Sequence, residues 1–173
     1  MQKARDIIGL PVIETDNGKK WSTVKDILFD DQWLMEGLLL ESKHWFSTPK
    51  YVAWEDILSI GPDAVTIPNE TVLKTLEDET GMNLLFGGKN KIFGLPIVTV
   101  NGHMLGNLED VYIDGKLGRK VIGYELTDGL ISDLRDGRKW LPHTDGVTVG
   151  EDTIIVPAQA AYELAETDQF FQG

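Results

Sequence analysis

The chain has no cysteine in its 173 residues and only three histidines, and its 16 lysines and arginines face 28 aspartates and glutamates. Without cysteine there is no disulfide, no thiolate metal site and no sulfur nucleophile. The histidines His44, His103 and His143 lie far apart with no ligand spacing between them, so a metal centre would need tertiary convergence. The net charge of −12 opposes a phosphate backbone or an anionic lipid surface, both of which select for surplus cations. A local basic exception around Arg135, Arg138 and Lys139 reads as a solvated hairpin tip. No apolar run reaches the ~20 residues that span a bilayer, and the start of the chain lacks a signal-peptide core. These absences predict a protein of the reducing cytoplasm with no membrane insertion, no metal and no cofactor.

What is present is a repeat. Ile7-Ile8-Gly9-Leu10-Pro11-Val12-Ile13 returns as Ile92-Phe93-Gly94-Leu95-Pro96-Ile97-Val98. Val24-Lys25-Asp26-Ile27-Leu28-Phe29-Asp30 returns as Leu108-Glu109-Asp110-Val111-Tyr112-Ile113-Asp114, and Ile60-Gly61-Pro62-Asp63 as Val149-Gly150-Glu151-Asp152. Gly37-Leu38-Leu39-Leu40 pairs with Gly123-Tyr124-Glu125-Leu126. The offset between the copies changes only where turns are expected, as in two copies of one fold.

Short runs of Val, Ile, Leu and aromatics separated by Gly, Pro, Asn and Asp predict strands, too few per copy for a sandwich and suited to a small barrel. Asn17-Gly18 and Asn101-Gly102 predict type I′ hairpin turns within 11–24 and 96–108. Val72, Leu73 and Leu76 share one face of a helix predicted over 70–79, with Gly87-Gly88-Lys89-Asn90 as a linker. Pro157 opens a second short helix. The fold class is mainly β: two small barrels related by internal duplication, each followed by a short helix. The expected division is 1–68, helix and linker at 69–91, and 92–173.

Gly9-Leu10-Pro11-Val12, the Val24–Asp30 stretch and Tyr51-Val52-Ala53-Trp54-Glu55-Asp56-Ile57-Leu58-Ser59-Ile60-Gly61 resemble a PRC-barrel domain, once per copy over nearly the whole chain. The arrangement is most similar to two-copy PRC-barrel proteins of Gram-positive bacteria. The resemblance implies an adaptor barrel, a kind of domain also found in the photosynthetic reaction-centre H subunit and in a ribosome-maturation factor. The second copy departs from the pattern after Trp140-Leu141-Pro142-His143, where Thr144-Asp145-Gly146 replaces the acidic-apolar stretch. A retained partner surface is therefore expected on the first copy.

No enzyme motif emerges. The serines show no nucleophile elbow, and Gly87–Asn90 lacks the upstream glycine and the following Ser or Thr of a phosphate loop. Asp26/Asp30 and Asp110/Asp114 have spacings that put paired carboxylates on one face of a strand, but Asp commonly flanks strand ends and turns. Asn69-Glu70-Thr71 matches a glycosylation sequon, which matters only in a secreted chain.

Aromatics crowd the first copy, and Trp33, Trp45 and Phe46, near turns, are the candidate partner-binding residues. The competing expectation is that these rings seal the two barrels together. The leading functional expectation is a non-catalytic protein-binding or assembly adaptor. A ribosome- or RNA-associated factor, an enzyme or small-ligand binder at an inter-barrel cleft, and a self-associating homodimer are the alternatives.

Overall fold

The computed structural model describes residues 1–77, 82–114, 118–127 and 138–166. The chain divides into two compact units, one of residues 2–91 and one of residues 92–173 together with Met1. Each is a curled, mainly antiparallel sheet.

In the first unit a single helical turn, α1 (Ala4–Ile7), precedes β1 (Pro11–Glu14), β2 (Lys20–Phe29), β3 (Met35–Leu40) and β4 (Lys50–Ala53). After a 3₁₀ turn at Trp54–Asp56 come β5 (Ser59–Ile60) and β6 (Val65–Ile67). A second 3₁₀ turn at Glu70–Val72 leads to β7 (Lys74–Thr75) and β8 (Asn83–Leu84). The strand order is β5-β6-β1-β2-β3-β4-β7, with β8 pairing to β2. All neighbours run antiparallel except β1 and β6, where Val12 faces Val65 in parallel register.

The second unit repeats the plan with β9 (Pro96–Thr99), β10 (Met104–Ile113), β11 (Val121–Thr127), β12 (Lys139–Pro142), β13 (Thr148–Val149) and β14 (Ile154–Val156). A helical turn, α2 (Ala160–Glu163), then precedes β15 (Ala165–Glu166). The order is β13-β14-β9-β10-β11-β12-β15, again with one parallel pair, β9 with β14.

The repeated Gly-Leu-Pro triplet has a backbone cause. Gly9 and Gly94 both take left-handed φ values, +86° and +81°, a region closed to most L-residues. That bend lets Gly9 N–H donate to Val24 O and Gly94 N–H to Leu108 O, each at 2.8 Å. The hairpins are where the repeat predicts them, but the turns are not type I′. That type needs positive φ at both central residues, and here only Gly18 and Gly102 have it. The first hairpin closes with Glu14 N–H on Lys19 O and the second with Thr99 N–H on His103 O, both at 2.8 Å. The loops are four and three residues long, with the glycine last.

The helix predicted over 70–79 shrinks to the 3₁₀ turn at Glu70–Val72, and residues 78 and 79 of that prediction lie outside the described residues. Asn69 Oδ1 accepts from Thr71 N–H, and the buried Glu14 carboxylate accepts from Glu70 N–H at 2.6 Å. Thr71, Val72 and Thr75 are β-branched and disfavour helix. The open edge of β4 supplies the competing partner: Lys50 pairs with Thr75 and Tyr51 with Lys74. The second copy follows suit, with Lys139 paired to Glu166 and Trp140 to Ala165. The repeat unit is therefore a curled sheet, one helical turn and a closing strand.

The stretch read as a linker is partly structural. Asn83 and Leu84 pair with Phe29 and Leu28, and Leu85 is fully buried. Beyond it, Gly87, Gly88, Lys89 and Asn90 line one side of a recess of about 290 Å³ with Leu28 and Leu84.

Candidate functional site

The segment from Glu41 to Lys50, which joins β3 to β4 and ends on the first residue of β4, is exposed at every residue. At its tip Ser47 N–H donates to His44 O at 3.0 Å. The Ser47 hydroxyl donates to the same carbonyl, and His44 N–H returns a bond to Ser47 Oγ at 3.3 Å. Trp45 and Phe46 are the two central residues of the turn so closed. Their rings lie 4.0 Å apart between centroids, at 86% and 81% exposure.

Central turn positions ordinarily carry Gly, Asn, Asp or Ser, so two large apolar rings there run against local preference. They also expose apolar area that folding would otherwise remove from water at about 25 cal/mol per Å². The turn's bonds hold the rings out together. At its root, Lys43 Nζ lies 4.6 Å from the centre of the half-buried Trp21 ring, a cation–π contact.

Trp33 does not belong with them. It is 2% exposed, packed 6.1 Å from Phe29 in the turn between β2 and β3. Asp30 Oδ1 accepts from Gln32 N–H at 2.8 Å and Leu34 N–H at 2.9 Å. This side-chain turn forces Trp33 to φ +61° and drives its ring into the core. Proximity to a turn in sequence therefore misplaced it; the surface pair is Trp45 and Phe46.

The paired aspartates are also placed by backbone bonds. Asp30 organises that turn. Asp26 and Asp110 are buried in mid-strand, each beside a register shift, between Val24 and Asp26 and between Leu108 and Asp110. Each accepts from the next residue's N–H, Ile27 at 2.8 Å and Val111 at 2.9 Å. Asp26 additionally accepts Phe86 N–H at 3.1 Å. Burial pushes the Asp26 carboxyl above its usual range, opposed by these backbone donors. The role is structural, at a bulge rather than at a strand end.

His44 belongs to the aromatic turn, and His103 is exposed on its hairpin, donating N–H to Thr99 Oγ1 at 3.0 Å. Among the described residues no group of three or more His, Asp or Glu could hold a metal ion. No helix among them is long and apolar enough to cross a membrane.

The second unit holds a polar network that the sequence reading passed over. Matching strand registers put Tyr112 where the first copy has Leu28, Tyr124 at Leu38, Glu125 at Leu39 and His143 at Trp54. Tyr112 donates its hydroxyl to Glu125 Oε2 at 2.9 Å, and Arg138 Nη1 lies 3.0 Å from Glu125 Oε1. Burial first, then the bond to Glu125, pushes the Tyr112 hydroxyl above its usual range. On the other face of β11, the buried Tyr124 hydroxyl meets His143 Nδ1. The signal was available in the repeat itself: leucines of one copy stand opposite Tyr and Glu of the other.

Comparison with known proteins now decides the family. The PRC-barrel domain matches twice, over residues 1–73 and 88–161. The chain belongs to the PRC-barrel family. A relative over most of its length is the uncharacterized protein YrrD of Bacillus subtilis, 25% identical over 160 residues, covering 90% of this chain and 87% of that protein. A 50-residue stretch is 42% identical to the DNA-directed RNA polymerase subunit beta' of Deinococcus radiodurans. That stretch covers 29% of this chain and 3% of the polymerase subunit. The tandem barrels are thus a PRC-barrel pair, and each match ends before the closing strand of its copy, Lys74–Thr75 or Ala165–Glu166.

Proposed function

We propose that this tandem PRC-barrel protein is a non-catalytic adaptor that binds a protein partner through the turn His44–Ser47 of its first barrel. The observation that carries the reading is the Trp45–Phe46 pair, held outward by hydrogen bonds at the tip of a fully exposed segment. Aromatic side chains dominate binding energy where they fill a partner's pocket. Presenting them on a closed turn lowers the ordering cost of association. The second copy's barrel, whose buried Tyr112, Glu125 and Tyr124 bond Arg138 and His143, supplies a second, chemically distinct body.

The test is gentle purification of the tagged protein from its native cells, with and without nuclease, beside the Trp45→Ala/Phe46→Ala variant. The adaptor reading expects a stoichiometric protein partner that resists nuclease and is lost from the variant. Equal recovery with the variant would move the contact elsewhere. Ribosomal proteins released by nuclease would favour a ribosome-associated role instead.

A further inference from the structure

The exposed turn also carries information about the chemistry of what it meets. The exposed segment Glu41–Lys50 holds a single carboxylate, that of Glu41 at its start, in a chain with 28 acidic residues and a net charge of −12. Lys43 and Lys50 flank the ring pair, with His44 beside it, and all three are exposed. Lys43 is held at the root of the turn over Trp21. The site is therefore a convex apolar tip with an exposed lysine on each side of it along the chain, a cationic collar on an otherwise acidic protein.

Resting on the adaptor reading, we infer that the partner is a protein surface with an apolar recess rimmed by carboxylates. A convex tip requires a concave counterpart, and two adjoining rings fill a pocket of matching apolar lining. The cationic collar selects carboxylates on the rim, and complementary rims of this kind steer encounter and fix register. A nucleic acid or an anionic membrane would offer negative charge too. Either presents it over an extended surface, so the acidic remainder of this chain would be drawn into repulsion. A protein recess confines the contact to the collar.

The experiment places the photo-reactive residue p-benzoylphenylalanine at Phe46 in one full-length chain and at Trp45 in another. A third chain carries it at Tyr162, the exposed tyrosine of the second unit, as a control. Each is irradiated in the cells that make it. The expected result is one protein adduct shared by the Phe46 and Trp45 chains and absent from the Tyr162 chain. Its attachment point should map to an apolar cleft with an excess of Asp and Glu. The double variant Lys43→Glu/Lys50→Glu, shown to be folded by its thermal unfolding, should cut the adduct yield about tenfold or more.

A protein adduct that survives this charge reversal would overturn the carboxylate rim while leaving the docking turn in place. Adducts to lipid or nucleic acid would overturn the protein partner. Absence of any adduct from both positions would overturn the docking turn itself, and the adaptor reading with it.

Discussion

Tyr124, buried in the second barrel, is joined through its hydroxyl to Nδ1 of His143. In the first barrel the corresponding pair is Leu38 and Trp54, which need no proton. The hydroxyl can donate to Nδ1 or accept from it, according to the imidazole tautomer.

Burial lowers the His143 pKa below its usual value, with nearby Asp145 opposing the shift. A lowered folded-state pKa gives stability that is present above the unfolded value of about 6.5 and lost as pH falls through the folded value. The second unit should therefore unfold at lower urea concentration at pH 5 than at pH 7.5. His143→Gln, which can accept but does not titrate, should flatten that part of the dependence. Urea midpoints of both proteins at the two pH values are the check; equal slopes would remove His143 as the cause.

Trp33 offers a test that inverts the usual order of substitutions. Trp33→Ala loses the buried ring and should cost about 3–5 kcal/mol. Trp33→Gly loses the same ring but relieves the left-handed backbone, worth about 1–2 kcal/mol. The glycine variant should therefore be the more stable of the two, contrary to ordinary experience of Ala against Gly. Denaturant unfolding of the pair decides it, and Ala above Gly would mean the turn relaxes when the ring is gone.

Gly37 and Gly123 occupy equivalent places in the two copies and exclude a side chain for different reasons. A Cβ at Gly37 would lie 2.3 Å from the backbone oxygen of Val52, whereas at Gly123 it would meet the Trp140 indole at 2.6 Å. Overpacking costs about 1–3 kcal/mol. Gly123→Ala should sit at the lower end, because an indole can shift, and should recover when combined with Trp140→Leu. Gly37→Ala has no such rescue, since its obstacle is main chain. Thermal unfolding of the three variants tests the contrast.

Asp26 accepts backbone N–H groups from Ile27 and Phe86. Asp26→Ala leaves both donors without that acceptor and should cost about 1–3 kcal/mol. Amide exchange at Phe86 should accelerate more than at Ile97, which lies in the other unit. Because burial raises the Asp26 pKa, its contribution is full below the unfolded value near 3.8 and declines as pH rises through the folded value. Asp26→Asn, which keeps an acceptor oxygen without charge, should be the milder change at neutral pH.

The duplication, the hairpins and the mainly β character were legible because Gly, Pro and Asp positions repeat in order and each has a backbone reason to do so. The extent of the helix after the first barrel was not. Val72, Leu73 and Leu76 fit a helical face, but the periodicity is blind to the open edge of β4, and pairing of Lys74 and Thr75 to that edge prevailed. Trp33 was misplaced for a related reason: exposure near a turn depends on the sign of φ, which Asp30 sets. Trp45 and Phe46 were singled out on the same ground, nearness to a turn, and there both rings are exposed. The Tyr112–Glu125–Arg138 network was hidden by reading each copy's strands for pattern instead of for difference.

Asn83, Leu84 and Leu85 lie along β2, and Phe86 N–H reaches back to Asp26. Anyone dividing this chain in two must reckon with that clasp. A first barrel cut after Pro68 would keep most of its strands, yet strip one edge of β2 and open Asp26 to water. Cut after Lys91, it would carry its own fastening, and only such a piece could be compared fairly with the whole.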